Sequence, residues 1–163
     1  MDMPKLEPIP IYTKNYPAWA RIWRWLTHIR KWKVVEDWHC QLPDGSIAVI
    51  PAGFIFDGAS IPRPLWAIMS PTGLLFIPSL IHDFAYRYDY LWLESSIPSG
   101  HTFIKGNYGA NRKHWDNLFE QMCVQVNGLA YVDQIARVLV RAFGWIAWYQ
   151  HRGRKYKEMI PGA

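Results

Sequence analysis

Cysteine is nearly absent: Cys40 and Cys123 are the only two in 163 residues. They cannot build a disulfide framework, and no C-x-x-C or Cys/His cluster has the spacing of a zinc site. Both read as small buried hydrophobes. Long apolar runs are missing too, since no uninterrupted stretch approaches the ~18 residues that a membrane span requires. The opening residues, Met1 to Pro8, hold no apolar run of signal-peptide type. The expectation is a protein made in the cytoplasm without a signal peptide, and at most peripheral at a membrane. Acidic residues are fewer than basic ones, 13 against 18, for a net charge of +5. That balance favours encounter with an anionic partner, phospholipid surface or nucleic acid, and says nothing about fold.

Aromatic residues are plentiful by contrast. Ten Trp and nine Tyr stand in a chain that is 50% hydrophobic, enough for one domain over residues 1–163 with a sizeable core. A Trp-rich core absorbs many of these rings, and rings with a polar tip also suit interfaces.

Pro4, Pro8 and Pro10 mark residues 1–16 as an extended arm that packs on the domain or on a partner. From Pro17 the pattern changes, with Trp19, Ile22, Trp23, Leu26 and Ile29 recurring at helical spacing over a basic aromatic helix within 17–31. Arg21, Arg24, Arg30 and Lys31 flank that stripe without an acidic residue. Two readings stay open for it: an interfacial helix on anionic lipid, or a surface helix whose stripe covers the core. Residues 32–50 read as a β-hairpin, Trp32–Leu42 and Ile47–Ile50 joined at Pro43-Asp44-Gly45-Ser46. Asp57-Gly58-Ala59-Ser60-Ile61-Pro62-Arg63-Pro64 is a small-residue turn, and Leu65–Met69 a short helix. Pro78 suits the first turn of the helix that follows. Residues 89–110, rich in Ser and Gly, read as a long connection with a small hairpin at His101–Ile104. A second helix carries Trp115, Leu118, Phe119, Met122 and Val126 as its apolar stripe and stops at Asn127-Gly128. A third, within 132–150, turns Ile135, Val138, Leu139, Ala142, Phe143, Ile146 and Ala147 inward, with Gly144 set for close packing. Residues 151–163 form a basic, mobile tail. The expected class is α+β, mainly α: an antiparallel helix pair, a third C-terminal helix and an N-terminal β-hairpin.

Chemistry concentrates at Ile81-His82-Asp83-Phe84-Ala85-Tyr86-Arg87. In a helix His82 and Tyr86 share a face, and Asp83 lies about 100° round the axis. One turn thus offers a general base, a hard oxygen ligand and a phenol. A buried, hydrogen-bonded histidine is the plain alternative. For Asp57 the plain alternative is a carboxylate capping its own turn.

Two resemblances follow from these pieces. Pro51-Ala52-Gly53-Phe54, Asp57-Gly58-Ala59-Ser60-Ile61-Pro62-Arg63, His82-Asp83-x-x-Tyr86 and Asp116-x-x-Phe119 together resemble an uncharacterised family of small phage and prophage proteins. Within it, Asp57-Gly58-x-Ser60, His82-Asp83-Phe84-x-Tyr86-Arg87 and Asn111-Arg112-x-x-x-Asp116-x-x-Phe119 look like the core of the bacterial secreted phospholipases A2, here residues 51–126. That resemblance implies His82 as general base, Asp116 as the carboxylate that orients it and Tyr86 as the phenol that steadies it. It implies a Ca2+ site at Asp57, Asp83 and the backbone carbonyl of Gly58. It also implies that Asp116 lies within hydrogen-bond reach of His82, about 2.6 to 3.2 Å. The secreted enzymes are cross-linked by disulfides, a role that a larger core and the hairpin are expected to take over in this chain.

The functions to weigh are therefore a calcium-dependent lipid esterase of phospholipase A2 type, phage-encoded and peripheral at anionic phospholipid, and a non-catalytic structural protein of a virion that keeps the helix pair and contacts other phage proteins. An HD-type metallophosphohydrolase needs further histidines, for which His28 and His39 are poorly placed. Nucleic-acid binding lacks any accompanying motif.

Overall fold

The computed structural model describes residues 2–10, 14–27, 31–57, 73–97 and 100–162. In chain order these form β1 (Leu6–Pro8), α1 (Ala18–Thr27), β2 (Trp32–Val34), β3 (Trp38–Gln41), β4 (Ile47–Ile50), β5 (Ile55–Phe56), α2 (Phe76–Tyr88), β6 (Leu91–Ile97), β7 (Gly100–Gly106), α3 (Arg112–Asn127) and α4 (Ala130–Arg152). The class is α+β with more helix than strand, as expected. Two antiparallel sheets, ordered β1-β2-β5 and β3-β4-β6-β7, accompany the helices.

The hairpin is present but shorter than its sequence suggested. β3 and β4 pair from Trp38 opposite Ile50 to Gln41 opposite Ile47, around a turn where Gly45 takes φ +86° and the Asp44 carboxylate accepts the Ser46 N–H. Trp32–Val34, expected in the same strand as β3, instead belongs to the other sheet. The break falls at Val35–Asp37, where the Asp37 carboxylate accepts N–H groups from Ala52 and Gly162, 2.7 and 2.5 Å away. The N-terminal arm packs on the domain: Leu6 pairs with Val34, and the Trp38 indole donates to the Asp2 carbonyl.

Residues 89–110 are not a long loop. β6 and β7 pair over seven residues, Leu91 opposite Gly106 to Ile97 opposite Gly100, and β6 also joins β4. Buried Leu91 and Trp92 secure the strand, so cross-strand pairing and burial override the loop-like composition of Ser95, Ser96 and Gly100.

Helix α2 places Pro78 in its first turn, where a missing N–H costs nothing, and stops at Asp89 in the left-handed region (φ 67°). Phe76, Leu80, Ile81 and Phe84 pack with Phe54, Phe56, Trp115 and Met122 in the main core. Helix α3 begins and ends where its sequence says: the Asn111 side chain accepts the His114 N–H, and Gly128 closes it at φ 60°. Cys40 and Cys123 are both buried, and burial pushes each thiol up to about 12.

Helix α4 runs longer than expected, and its expected inward face is present in part: Ile135, Leu139 and Ala147 pack on the core. Val138 is 57% exposed, and Ala142 and Ile146 are exposed as well. Buried Ala136 and half-buried Val132, Ile135, Leu139, Val140, Gly144, Ala147 and Trp148 form the packed ridge. On that ridge Gly144 is where α4 comes closest to α2, at the Tyr86 hydroxyl.

The C-terminal tail is ordered rather than mobile. The Tyr90 hydroxyl donates to Glu158 (3.0 Å), the Trp92 indole to the Met159 carbonyl (2.7 Å), and the Tyr156 ring sits beside Tyr88. A ladder of Tyr88, Tyr90 and Trp92 gives the segment something to pack on, which charge counting along the tail does not reveal. Of the stripe on helix α1, Trp19 is 74% and Ile22 60% exposed; the side chains of Trp23 and Leu26, and Ile29, lie outside what is described. The expected short helix Leu65–Met69, and residues 58–64 of the small-residue turn, lie outside the described residues.

At Gly144 an added Cβ would meet the Tyr86 hydroxyl at 2.9 Å, and that ring is buried. A helix-interior Gly→Ala change ordinarily gains ~1 kcal/mol. Here Gly144→Ala is expected to lose about 1–2 kcal/mol through overpacking, read from urea unfolding midpoints at unchanged m-value. A more stable variant would show the contact to be loose.

Candidate functional site

Helices α2 and α3 run antiparallel: His82 meets Asp116 and Phe119, while Tyr86, one turn on, meets Asp116 and comes near Arg112, which lies one turn back on α3. Spacing by four on each helix makes this possible, because i and i+4 stack on one face. The Asp116 side chain is 4% exposed and fully engaged. Its Oδ1 accepts the Tyr86 hydroxyl and lies 3.4 Å from His82 Nε2, and its Oδ2 lies 3.3 Å from Arg112 Nη1. The His82 contact is slightly longer than the expected 2.6 to 3.2 Å, as befits an oxygen already shared with a phenol.

Protonation follows from this geometry. His82 has a side chain 10% exposed, and burial lowers its pKa more than the neighbouring Asp116 raises it, so the imidazole is neutral at pH 7. Facing a carboxylate, Nε2 carries the hydrogen and donates it, which leaves the lone pair on Nδ1. Among the described residues Nδ1 makes no hydrogen bond. Burial and the Asp116 charge push the Tyr86 phenol upward, so it stays a donor. The His82 and Tyr86 rings lie 3.9 Å apart, and Trp148 of α4 meets Tyr86 edge-on at 5.2 Å.

A second group of side chains stands beside the first. Asp83 Oδ2 is buried without a hydrogen-bond partner among the described residues. Burial, then the charge of Asp57, hold the Asp83 carboxyl well above the usual carboxylate range, partly offset by Arg87. Asp57, at the end of β5, therefore faces Asp83 of α2. Two adjacent carboxyl groups, hydrogen-bonded to one another and with one Asp83 oxygen orphaned, offer oxygen donors that suit a hard divalent cation. Such a cation takes six to eight oxygens, so backbone carbonyls and waters must complete the shell. Among the described residues no group of three or more His, Cys, Asp or Glu is assembled for a metal. Gly58, the expected carbonyl ligand, lies outside the described residues.

The structure thus brings the expected residues His82, Tyr86 and Asp116 to one point, and Asp57 and Asp83 to a neighbouring one. The sequence reading assigned no role to Arg112, although the four-residue step to Asp116 was the available signal. Arg87, four residues after Asp83, was also passed over. Its Nη1 donates to the Ile55 carbonyl at 2.8 Å, and its guanidinium lies over the Phe54 and Tyr156 rings at 4.8 and 5.4 Å. That clasp holds the end of β5, and hence Asp57, against α2. His151 completes the surroundings: its Nδ1 lies 2.6 Å from the Tyr156 hydroxyl, and burial followed by the charge of Arg87 lowers its pKa. Nothing local in the sequence links residues 151 and 156 to position 57.

No curated protein and no solved structure matches the chain. A family model described as a protein of unknown function does match, over residues 32–140. That span holds Asp57, His82, Asp83, Tyr86, Arg112 and Asp116, and leaves α1 and the C-terminal segment outside it. The chain therefore belongs to this uncharacterised family, DUF1353.

Proposed function

We propose that the protein is a phage-encoded, calcium-dependent lipid esterase of phospholipase A2 type. The observation that carries this reading is the meeting of His82 Nε2 with Asp116 across two antiparallel helices, beside an orphaned Asp83 carboxylate that faces Asp57. His82, Asp83, Tyr86 and Asp116 are the residues that the secreted phospholipases A2 resemblance assigns to the reaction, and they are neighbours here. The phage assignment rests on the Asp57-to-Arg63 pattern with the His82 and Asp116 motifs.

Ester hydrolysis near neutral pH needs a base to deprotonate water, and a neutral imidazole is that base. Asp116 holds Nε2–H and stabilises the imidazolium as it forms, so Nδ1 takes the proton while the water oxygen bonds to the ester carbonyl carbon. The tetrahedral intermediate then collapses, the C–O bond to the glycerol oxygen breaks, and His82 returns its proton to that oxygen. Fatty acid and lysophospholipid leave. Tyr86 and Arg112 hold Asp116 in place. Asp83, Asp57 and the Gly58 carbonyl would hold calcium, which when bound supplies positive charge toward a developing oxyanion.

The test is fatty-acid release from mixed phospholipid vesicles, with calcium and then with chelator. His82→Gln is expected to lower turnover by roughly 10²–10⁴-fold, whatever the calcium concentration. Asp83→Asn exchanges an anionic ligand for a neutral one, so activity falls but excess calcium restores part of it. Asp116→Asn costs less than either, because the base survives with a poorly fixed tautomer. Folded wild-type protein that binds no calcium and releases no fatty acid overturns the proposal and leaves a non-catalytic virion component.

The pH profile is a separate check. A histidine whose folded pKa is depressed keeps its lone pair below the ordinary 6.5, so the acid limb of kcat/KM is expected below pH 6.5. The linked stability term has a definite sign: the unfolded chain binds the proton more readily, so His82 destabilises the fold increasingly as pH drops through 6.5. Chemical unfolding of wild type and His82→Gln at pH 7.5 and 5.5 should show wild type losing more. An equal loss would mean that His82 is not desolvated.

A further inference from the structure

Between Glu7 and Glu36 the chain carries cations and no acidic residue. Residues 8–35 contain Lys14, Arg21, Arg24, Arg30, Lys31 and Lys33 and no Asp or Glu. Of these, Lys14, Arg21, Lys31 and Lys33 are described as exposed, and the salt bridges among the described residues involve none of the four. Arg21 instead folds back along the helix start, donating to the Tyr16 and Lys14 carbonyls at 2.6 and 3.1 Å. That clasp ties the approach to α1 to its first turn. On α1 itself, Trp19 and Ile22, three residues apart, stand 74% and 60% exposed on one side. No other described helix or strand packs extensively against α1. The helix also precedes the span shared with the family, residues 32–140.

We infer that α1 is a docking element for an anionic bilayer surface, lying in the interface with Trp19 and Ile22 inserted and the surrounding Lys and Arg on lipid headgroups. The physical case joins two terms. An amphipathic helix with Trp on its apolar side and only cations around it gains apolar burial and headgroup attraction together, which is the composition of an interfacial helix. A folded protein that leaves a Trp and an Ile side by side in water lacks the burial that those side chains favour. Duplex nucleic acid satisfies the cations alone and gives Trp19 and Ile22 no apolar medium, so the bilayer accounts for more of what is seen. This inference names the partner of the proposed esterase but stands without its chemistry, because docking requires neither His82 nor calcium.

The experiment uses the full chain and vesicles of phosphatidylcholine with or without a minority of phosphatidylglycerol, in chelator so that no turnover enters. Flotation should show binding to the anionic vesicles, weakening as salt is raised and nearly absent on pure phosphatidylcholine. Trp19→Ala/Ile22→Ala, both at exposed positions, should keep the wild-type unfolding midpoint and bind the anionic vesicles at least about tenfold more weakly. Val138→Ala/Tyr149→Ala, on the exposed side of α4, should bind like wild type. The inference is overturned if wild type does not bind anionic vesicles, if the α1 double variant binds as wild type does, or if the α4 double variant loses as much. It is overturned too if duplex DNA holds the protein while vesicles do not. Vesicle binding by a chain that releases no fatty acid would separate this docking from the esterase proposal and leave it intact.

Discussion

The buried carboxylate of Asp116 is the constraint around which the helical half is arranged. An ionised carboxylate in a nearly dry site is costly unless every lone pair finds a partner, and removing one partner commonly costs several kcal/mol. Three side chains meet that demand: Tyr86 and His82 from α2 and Arg112 from the first turn of α3. Their spacing dictates that α2 and α3 be antiparallel and in one register, for a slip of a residue would carry Asp116 a quarter-turn away. Helix α4 depends on the same point. It closes over Tyr86 only because Gly144 leaves room for the hydroxyl, and Trp148 then meets the ring edge-on.

The second carboxylate pair is bound to the first through α2 and to the sheets through β5. Asp83 follows His82 directly, so the two sites share one helix turn while facing different neighbours. Asp57 arrives from a two-residue strand that would be loosely held by its ladder alone. Arg87 supplies the missing restraint, bonding the Ile55 carbonyl and lying between the Phe54 and Tyr156 rings. In this way residues from the sheet, the central helix and the chain's last segment converge on one group of charges. The C-terminal segment extends the restraint further, tying itself to Tyr90, Trp92 and Asp37.

Much of the site could be read from the chain, and much of its support could not. The four-residue step from His82 to Tyr86 and the cap-to-glycine span of α3 are local, fixed by helix geometry and by Asn111 and Gly128. The inward face of α4 was legible in part: Ile135, Leu139 and Ala147 pack as their spacing suggests and Gly144 packs closely, whereas Val138, Ala142 and Ile146 stay exposed and Ala136 is buried instead. The segment 89–110 was misjudged. Its serines and glycines favour loops locally, and only the ladder to β4 and the burial of Leu91 and Trp92 make it a hairpin.

The sequence by itself determined the helix pair, the β3–β4 turn, the scarcity of cross-links and the residue types on α2. These rest on interactions within a few positions, where spacing alone decides who meets whom. Only the tertiary structure decided that Asp57 faces Asp83, that Arg112 and Tyr86 share Asp116 with His82, that the tail packs on an aromatic ladder, and that Trp19 and Ile22 stay in water. Each of these depends on which surfaces are already covered once the chain has closed on itself, and burial is a property of the whole fold that no local pattern contains.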